Sequence, residues 1–452
     1  MSRRSQTNGG VAAAGTLAIL LALLLAGAAS ADDDASDGSA PDQSFAVHAQ
    51  TTFVDQGHDA FRSPFQGPNS LSPDAEGRET VDVTLLIGAR FWKGGEIWAN
   101  FEGDQGFGLN DTFGLAGFPS GEAYKVGDAT PYARLPRLFL RQTIDLTGDD
   151  SKVDPDLNQL GGSQTANRVV ITAGKFAVTD VFDTNDYAHD PRHDFLNWAL
   201  IDTGTFDYAA DAWGYTVGTA VEWYQGGWTL RGGLFDLSIV PNSPTLGEFG
   251  QFQLVDEIER RYSILGRDGA IKLTSFLTRG RMGSYEDDIA LAEKTGETPS
   301  TALVRHYASR AGVSLDLQQK ITDDLGAFVR GGIAGGKEEV FEFADIDRTV
   351  AGGLSLAGKR WGAPKDTVGV AGIVNGISSQ YEQYLADGGL GILIGDGRLP
   401  HPGPEEIAET YYDHAVGRYV HVALDFQFVN NPAYDRDRGP VSILAVRFHA
   451  QF

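Results

Sequence analysis

The sequence predicts an all-β chain, a 16-stranded antiparallel transmembrane β-barrel with short periplasmic turns, long extracellular loops and one inward-folded constriction loop. Three observations predict it. Strand-like segments alternate apolar and polar residues with a period of two. The links between these segments alternate between tight and long, as barrel turns and loops do. Finally, the chain carries 57 glycines and is rich in Phe, Tyr and Trp, yet has no apolar run past residue 31 that is long enough for a membrane helix.

The first residues address the chain. Arg3 and Arg4 precede an apolar stretch over 11–26, and small residues at Ala29 and Ala31 come just before Asp32–Asp34. That order is a secretory signal peptide over 1–31, cut after Ala31. Residues 32–43, "DDDASDGSAPDQ", read as an acidic disordered segment. The barrel is expected over 44–452, without a further domain boundary, in a bacterial outer membrane.

The strand candidates follow in order: 45–55, 81–92, 96–104, 133–146, 167–178, 211–224, 228–237, 251–264, 269–279, 303–317, 325–336, 347–358, 366–375, 406–415, 418–429 and 440–452. Their number is even, as bacterial barrels require. Many run about 9 to 12 residues, enough to cross a bilayer at a tilt near 45°. Tight links such as "KGG" (93–95), "QGG" (225–227) and "LGRDG" (265–269) alternate with long ones such as 105–132, 179–210 and 376–405. One link, 147–166, is long on the side that should be short. Only Glu286–Lys294 reads as a helix.

Faces follow from parity. Val81, Val83, Leu85, Ile87, Ala89 and Phe91 share one side, against Asp82, Thr84, Leu86, Gly88, Arg90 and Trp92. Val420, Val422, Leu424, Phe426 and Phe428 likewise oppose His421, Ala423, Asp425 and Gln427. Aromatics gather near the tight turns at Phe91, Trp223 and Trp228, where an interfacial girdle sits. In a soluble sandwich the apolar face would instead meet a second sheet.

Composition excludes several functions. A formal net charge of −25 argues against a nucleic-acid partner, which demands clustered Lys and Arg. No cysteine is present, so disulfides and thiolate chemistry are ruled out. No nucleophile elbow, zinc signature or phosphate loop appears, and "LIGDGRL" lacks the strand-to-helix setting a phosphate loop needs. No catalytic residue or cofactor is therefore assigned. His189 and His193, with Asp190 and Asp194, invite a metal, but Pro191 spoils the helix that an i, i+4 pair requires.

Parity also lists what would line the water-filled side: Arg90 and Trp92, then Glu96, Trp98, Asn100 and Glu102, then Arg137, Phe139 and Arg141, and further round Arg231 and Arg330. Planar guanidinium donors, carboxylate acceptors and flat aromatic faces suit hydroxyl-rich, uncharged ligands. Ion-selective pores rely on rings of one charge. Loop 179–210 is too apolar for a freely solvated segment, so it is expected to fold into the barrel.

Several stretches carry more than a pattern: "PYARLPRLFLRQTIDL" (131–146), "GKFAVTDVFDTNDYAHDPRHDFLNWAL" (174–200), "GDQGFGLNDTFGLAGFPSGEAYKVG" (103–127), "NGISSQYEQYLADGGLGILIGDGRL" (375–399) and "NPAYDRDRGPVSILAVRFHAQF" (431–452). Together they resemble the carbohydrate-selective porin (OprB-like) family of bacterial outer membranes. The resemblance implies facilitated diffusion of monosaccharides such as glucose through a constriction of Arg, acidic and aromatic side chains. It points to Arg137, Arg141, Asp183, Asn185, Asp190, Arg192, Asn197 and Trp198. Arg90, Trp92, Trp98, Glu102 and Arg330 rest on parity. The proline-rich stretch 398–406 departs from the family at the outer mouth. Expected partners are small neutral sugars, outer-membrane lipid and lipopolysaccharide, and the barrel-assembly machinery through Phe452, with a monomer or homotrimer as the assembly. A general or ion-selective porin on the same barrel is the alternative.

Overall fold

A computed structural model describes residues 42–452. The leader and nearly all of the acidic segment lie outside the described residues. Sixteen strands follow one another: β1 (Phe45–His58), β2 (Glu76–Trp92), β3 (Gly95–Gly106), β4 (Asp128–Val153), β5 (Gly162–Phe176), β6 (Thr216–Gln225), β7 (Trp228–Asp236), β8 (Phe252–Ile264), β9 (Arg267–Met282), β10 (His306–Lys320), β11 (Leu325–Ala334), β12 (Arg348–Ala357), β13 (Thr367–Gly376), β14 (Glu405–Val416), β15 (Val420–Asn430) and β16 (Val441–Gln451). Each pairs antiparallel with the next, and β1 pairs with β16, which closes the barrel. Closure satisfies every edge, the condition for a sheet in lipid.

The predicted order of elements is the observed one. The irregular link resolves into structure, because β4 and β5 run on as a hairpin past the other strands and leave only 154–161 as turn. Register shifts at Thr147 interrupt the alternation there, which hid the strand from a period-two reading. At the tight end, Leu265 and Gly266 both hold positive φ, 53° and 74°, as a two-residue hairpin turn matched to strand twist requires. The expected helix spans Tyr285–Thr295, capped by Ser284 at its start and Gly296 at its end. A second, Ser379–Ala386, forms in the link after β13.

The barrel is inside out relative to a soluble protein. Leu85, Ile144, Leu230, Leu273, Val350, Leu424 and Leu444 stand exposed on the outer face, while Asp82, Glu257, Asp316, Arg330, Glu409, Asp425 and Arg447 are buried inside. Phe91, Trp223 and Trp228 ring the tight-turn end, named here the periplasmic end.

The lumen is not empty. Segment 177–215 crosses it and attaches to the wall on many sides. Arg330 on β11 donates to the carbonyls of Asp183 and Leu200, at 3.0 and 2.7 Å. Glu409 on β14 accepts from the amides of Leu196 and Asn197, at 2.5 and 3.0 Å. Gln253 on β8 accepts from Ala209, and Arg447 on β16 donates to the carbonyls of Pro191 and Asp194. Gly332 on β11 permits the approach, since a Cβ there would lie 2.1 Å from Thr205 Oγ1. Two further loops pack on this one. Phe118, from the β3–β4 link, stacks on Trp198 at 5.4 Å, and Phe343, from the β11–β12 link, meets Trp198 edge on at 5.2 Å. The Asp207 carboxylate accepts from the backbone amides of Phe341, Phe343 and Ala344. A loop normally stays at the surface because its backbone groups need partners, and here charged and polar wall residues supply them.

Candidate functional site: a neck beside the inward loop

Beside the crossing loop lies a cavity of about 220 Å³, walled on its other side by β4 and the β3–β4 link. Arg137, Asp190, Arg192 and Trp198, all expected from the sequence, line it, together with Glu122, Tyr124, Arg134, Asp180, Trp213 and Tyr215. Each guanidinium is matched by acid. Arg137 makes a two-pronged pair with Asp180, Nε to Oδ2 at 2.8 Å and Nη2 to Oδ1 at 2.6 Å. Arg134 bridges Glu102 and Asp104, both at 2.5 Å. Arg192 reaches Glu122 at 3.2 Å and Asp82 at 3.8 Å. Such forked pairs hold orientation as well as charge.

Aromatic faces flank them. The Arg137 and Arg134 guanidinium carbons lie 5.0 and 5.3 Å from the Tyr215 ring centre, and Trp213 and Tyr124 also border Arg134. The Tyr124 hydroxyl and Arg134 Nη1 are buried in the cavity wall without a hydrogen-bond partner. Buried donors are rarely left unmatched, so these are available to a ligand.

The loop's own ionisable groups are tuned. Burial pushes the Asp202 carboxyl up to about 8, helped by Asp183 and opposed by Arg330. Burial and the Arg330 charge hold the His189 imidazole down to about 4. For Asp180, burial acts upward but the charge of Arg137 overcomes it, leaving the carboxyl below its ordinary value. The neck at neutral pH therefore carries a neutral Asp202 and His189 beside paired arginines.

Other residues expected at the constriction lie elsewhere. Arg330 points inward as parity requires, but it is fully buried under the loop, and its donors go to Asp316, Leu200 and Asp183. Asp183 and Asn185 are buried braces: Asp183 caps the Thr203 amide and hydroxyl, and Asn185 donates to Asp316 at 2.8 Å. Asn197 is also a brace, donating to Gly117 and Gln427 and accepting from Ala199. Glu102 sits behind Arg134 and accepts from Thr84. Arg90, Trp98 and Arg141 lie at the periplasmic foot. Arg90 and Arg141 donate to the carbonyls of Gly161 and Asn158 in the β4–β5 turn, and Trp98 donates to Glu96. Trp92 is not in the lumen at all. A bulge at Phe91 resets the parity, and the indole lies half exposed, donating to Gln142 on the outer face.

Sequence reasoning missed Arg134. Counting in twos from Arg137 places it outward, but Pro136 sits at a register shift between the Asn100–Arg137 and Glu102–Arg134 pairings. Proline cannot donate to a ladder and inside a sheet it marks such a bulge, so Pro136 was the available signal. Tyr215 and Glu122 come from links whose paths no local pattern fixes. The histidines once considered for a metal diverge: His189 faces Asp202, while His193 packs against His421 and His449.

The family model for the carbohydrate-selective porin, OprB family, matches residues 68–452. Among solved structures, the chain is similar to OprB of Pseudomonas putida, with 14% identity, a TM-score of 0.68, and coverage of 90% of this chain and 94% of that one. It is also similar to the outer membrane channel DcaP of Acinetobacter baumannii, with 9% identity, a TM-score of 0.52, and coverage of 92% and 99%. At these identities the likeness is one of fold. A search of curated proteins returns no match.

Proposed function

Because the chain belongs to the carbohydrate-selective porin, OprB family, we propose that it carries small neutral sugars, with monosaccharides such as glucose as the substrate class, passively through the neck beside the inward loop. The observation that supports this reading is the make-up of the neck. Arg134, Arg137 and Arg192 each meet a carboxylate, so the wall is rich in donors and acceptors without a ring of one sign. Tyr124, Tyr215 and Trp213 add flat faces for sugar C–H surface. A charged solute gains little there, whereas a polyol finds a partner for each hydroxyl.

Transport needs no energy source, only a site weak enough to release what it admits. Arg137 and Arg192 position the ligand, Tyr215 stacks against it, and Arg134 Nη1 and the Tyr124 hydroxyl donate to it. The periplasmic foot, where Arg90 and Arg141 hold the β4–β5 turn, shapes the way out. In the cell we place the barrel in the outer membrane after removal of residues 1–31. Lipopolysaccharide meets the long-loop end, the assembly machinery reads Phe452, and the protein works as a monomer or homotrimer.

The test is block of ionic current through the full-length protein in planar bilayers. Neutral glucose should interrupt the current, and Arg137→Ala should sharply weaken the interruption. A current indifferent to every sugar, with liposome swelling that follows solute size alone, would replace this reading with a general porin.

A further inference from the structure

Beyond the neck, toward the periplasm, lies a larger chamber of about 680 Å³ whose wall includes His48, His193, His421, His449, Tyr419 and Phe452. Asp190 borders both cavities, so the segment 190–193 of the inward loop is the partition between two compartments in series.

The imidazoles are arranged, not scattered. His421 and His449 stand directly opposite each other on β15 and β16. His193, from the loop, meets both edge to face, with ring centres 5.4 and 4.7 Å away. Partners on the far side hold the His421 and His449 rings in place. His421 Nδ1 lies 2.5 Å from Asp413 Oδ1, a carboxylate that accepts, so Nδ1 carries the hydrogen of that bond. His449 Nδ1 lies 3.1 Å from Thr52 Oγ1. Arg192 Nε donates to that same oxygen.

Two imidazoles thus sit side by side across one strand pair, each with its Nδ1 held by a wall residue. His449 Nε2 is buried without a partner, and so is His48 Nε2. A hydroxyl group, which donates and accepts at once, is the natural complement to imidazole nitrogens in either role. Tyr419 and Phe452, with ring centres 5.4 Å apart, supply an apolar aromatic surface at the rim. Of the charged groups nearby, Asp190, Asp413, Arg192 and Arg447 are engaged with the loop or with one another, Arg418 lies over the Tyr419 ring at 5.2 Å, and Asp156 accepts from the Leu157 amide.

We infer that this chamber is a second, exit-side binding site for a neutral polyhydroxylated ligand, filled in series with the neck. The inference rests on the sugar-channel reading and adds to it a second station. Two weak sites in line let one molecule leave as the next arrives, which speeds release without loosening the neck.

The experiment is current-noise analysis of the full-length protein in planar bilayers with D-glucose as the probe. The parent should show two kinetic components. Arg137→Ala should remove the stronger one and leave the weaker. His421→Ala with His449→Ala should remove the weaker and leave the stronger, and Tyr419→Ala, remote from the imidazole packing, should weaken it. Sugar-free conductance and heat-modifiable migration confirm that each variant has assembled. A noise spectrum unchanged by the histidine pair and by Tyr419→Ala would overturn the exit site and leave the channel reading intact. A parent with no glucose noise would overturn both.

Discussion

Arg330 and Arg137 are the same residue type on facing walls of one barrel, and they do opposite things. Arg330 on β11 has no exposed side-chain surface, and each of its bonds goes to Asp316 or to a carbonyl of the inward loop. Arg137 on β4 is 17% exposed, paired with Asp180 on one edge and open to the neck cavity on the other. One is a clamp and the other a contact. A guanidinium's role is set by which of its five donors the protein leaves unused, more than by which face of a strand it occupies.

The largest effect should come from breaking the clamp. Arg330→Ala strands Asp316 and two loop carbonyls in a dry interior, a loss of about 3–5 kcal/mol for a buried pair. The thermal midpoint in detergent should fall and single-channel conductance should rise as segment 177–215 loosens. Unchanged values on both counts would mean that the loop is held by its other anchors. Arg137→Ala removes hydrogen bonds to a charged group, worth about 2 kcal/mol, and should weaken glucose block roughly 30-fold while barely moving the midpoint. If the midpoint fell as far as for Arg330→Ala, the distinction between clamp and contact would collapse.

Arg141→Ala tests the foot. Losing its bond to Asn158 should free the 154–161 turn by about 1 kcal/mol. Proteolysis from the periplasmic side should then cut within that turn, whereas equal resistance in parent and variant would assign its hold to the remaining bonds from Arg90, Gln43 and Glu96. The smallest effect is one of pH. Asp202 titrates at about 8 in the folded loop against 3.8 as a free side chain. A raised folded value means the folded loop keeps a proton the unfolded chain has lost, so stability declines as pH rises from about 4 towards 8. Ionisation above that point adds a negative charge to the neck, and reversal potentials should shift towards cations between pH 7 and 9. His189 works with the opposite sign: held at about 4, it costs the fold stability as pH falls from 6.5 towards 4.

Much of this was legible in advance, for a physical reason. A strand in lipid must alternate strictly, so Leu424, Asp425, Phe426 and Gln427 declared their sides. The same rule failed wherever the ladder slipped by one residue. The bulge at Phe91 sent Trp92 outward and the shift at Pro136 brought Arg134 inward, each a local insertion that reverses every later count. Asp183, Asn185 and Asn197 belong to the right loop but serve its interior, since nothing in a loop's own sequence tells a brace from a lining residue.

Alternation, turn chemistry and the rhythm of short and long links were enough to determine a sixteen-stranded wall and, wherever the ladder runs without a bulge, which residues face its interior, because these are contacts between neighbours in the chain or across one hairpin. The tertiary structure alone decided where segment 177–215 lies across that interior. Its position is set by Arg330, Glu409, Gln253 and Arg447 from distant strands, each answering a backbone group that would otherwise be buried unpaired. The neck is the space those bonds leave over, and no segment of the chain specifies it on its own.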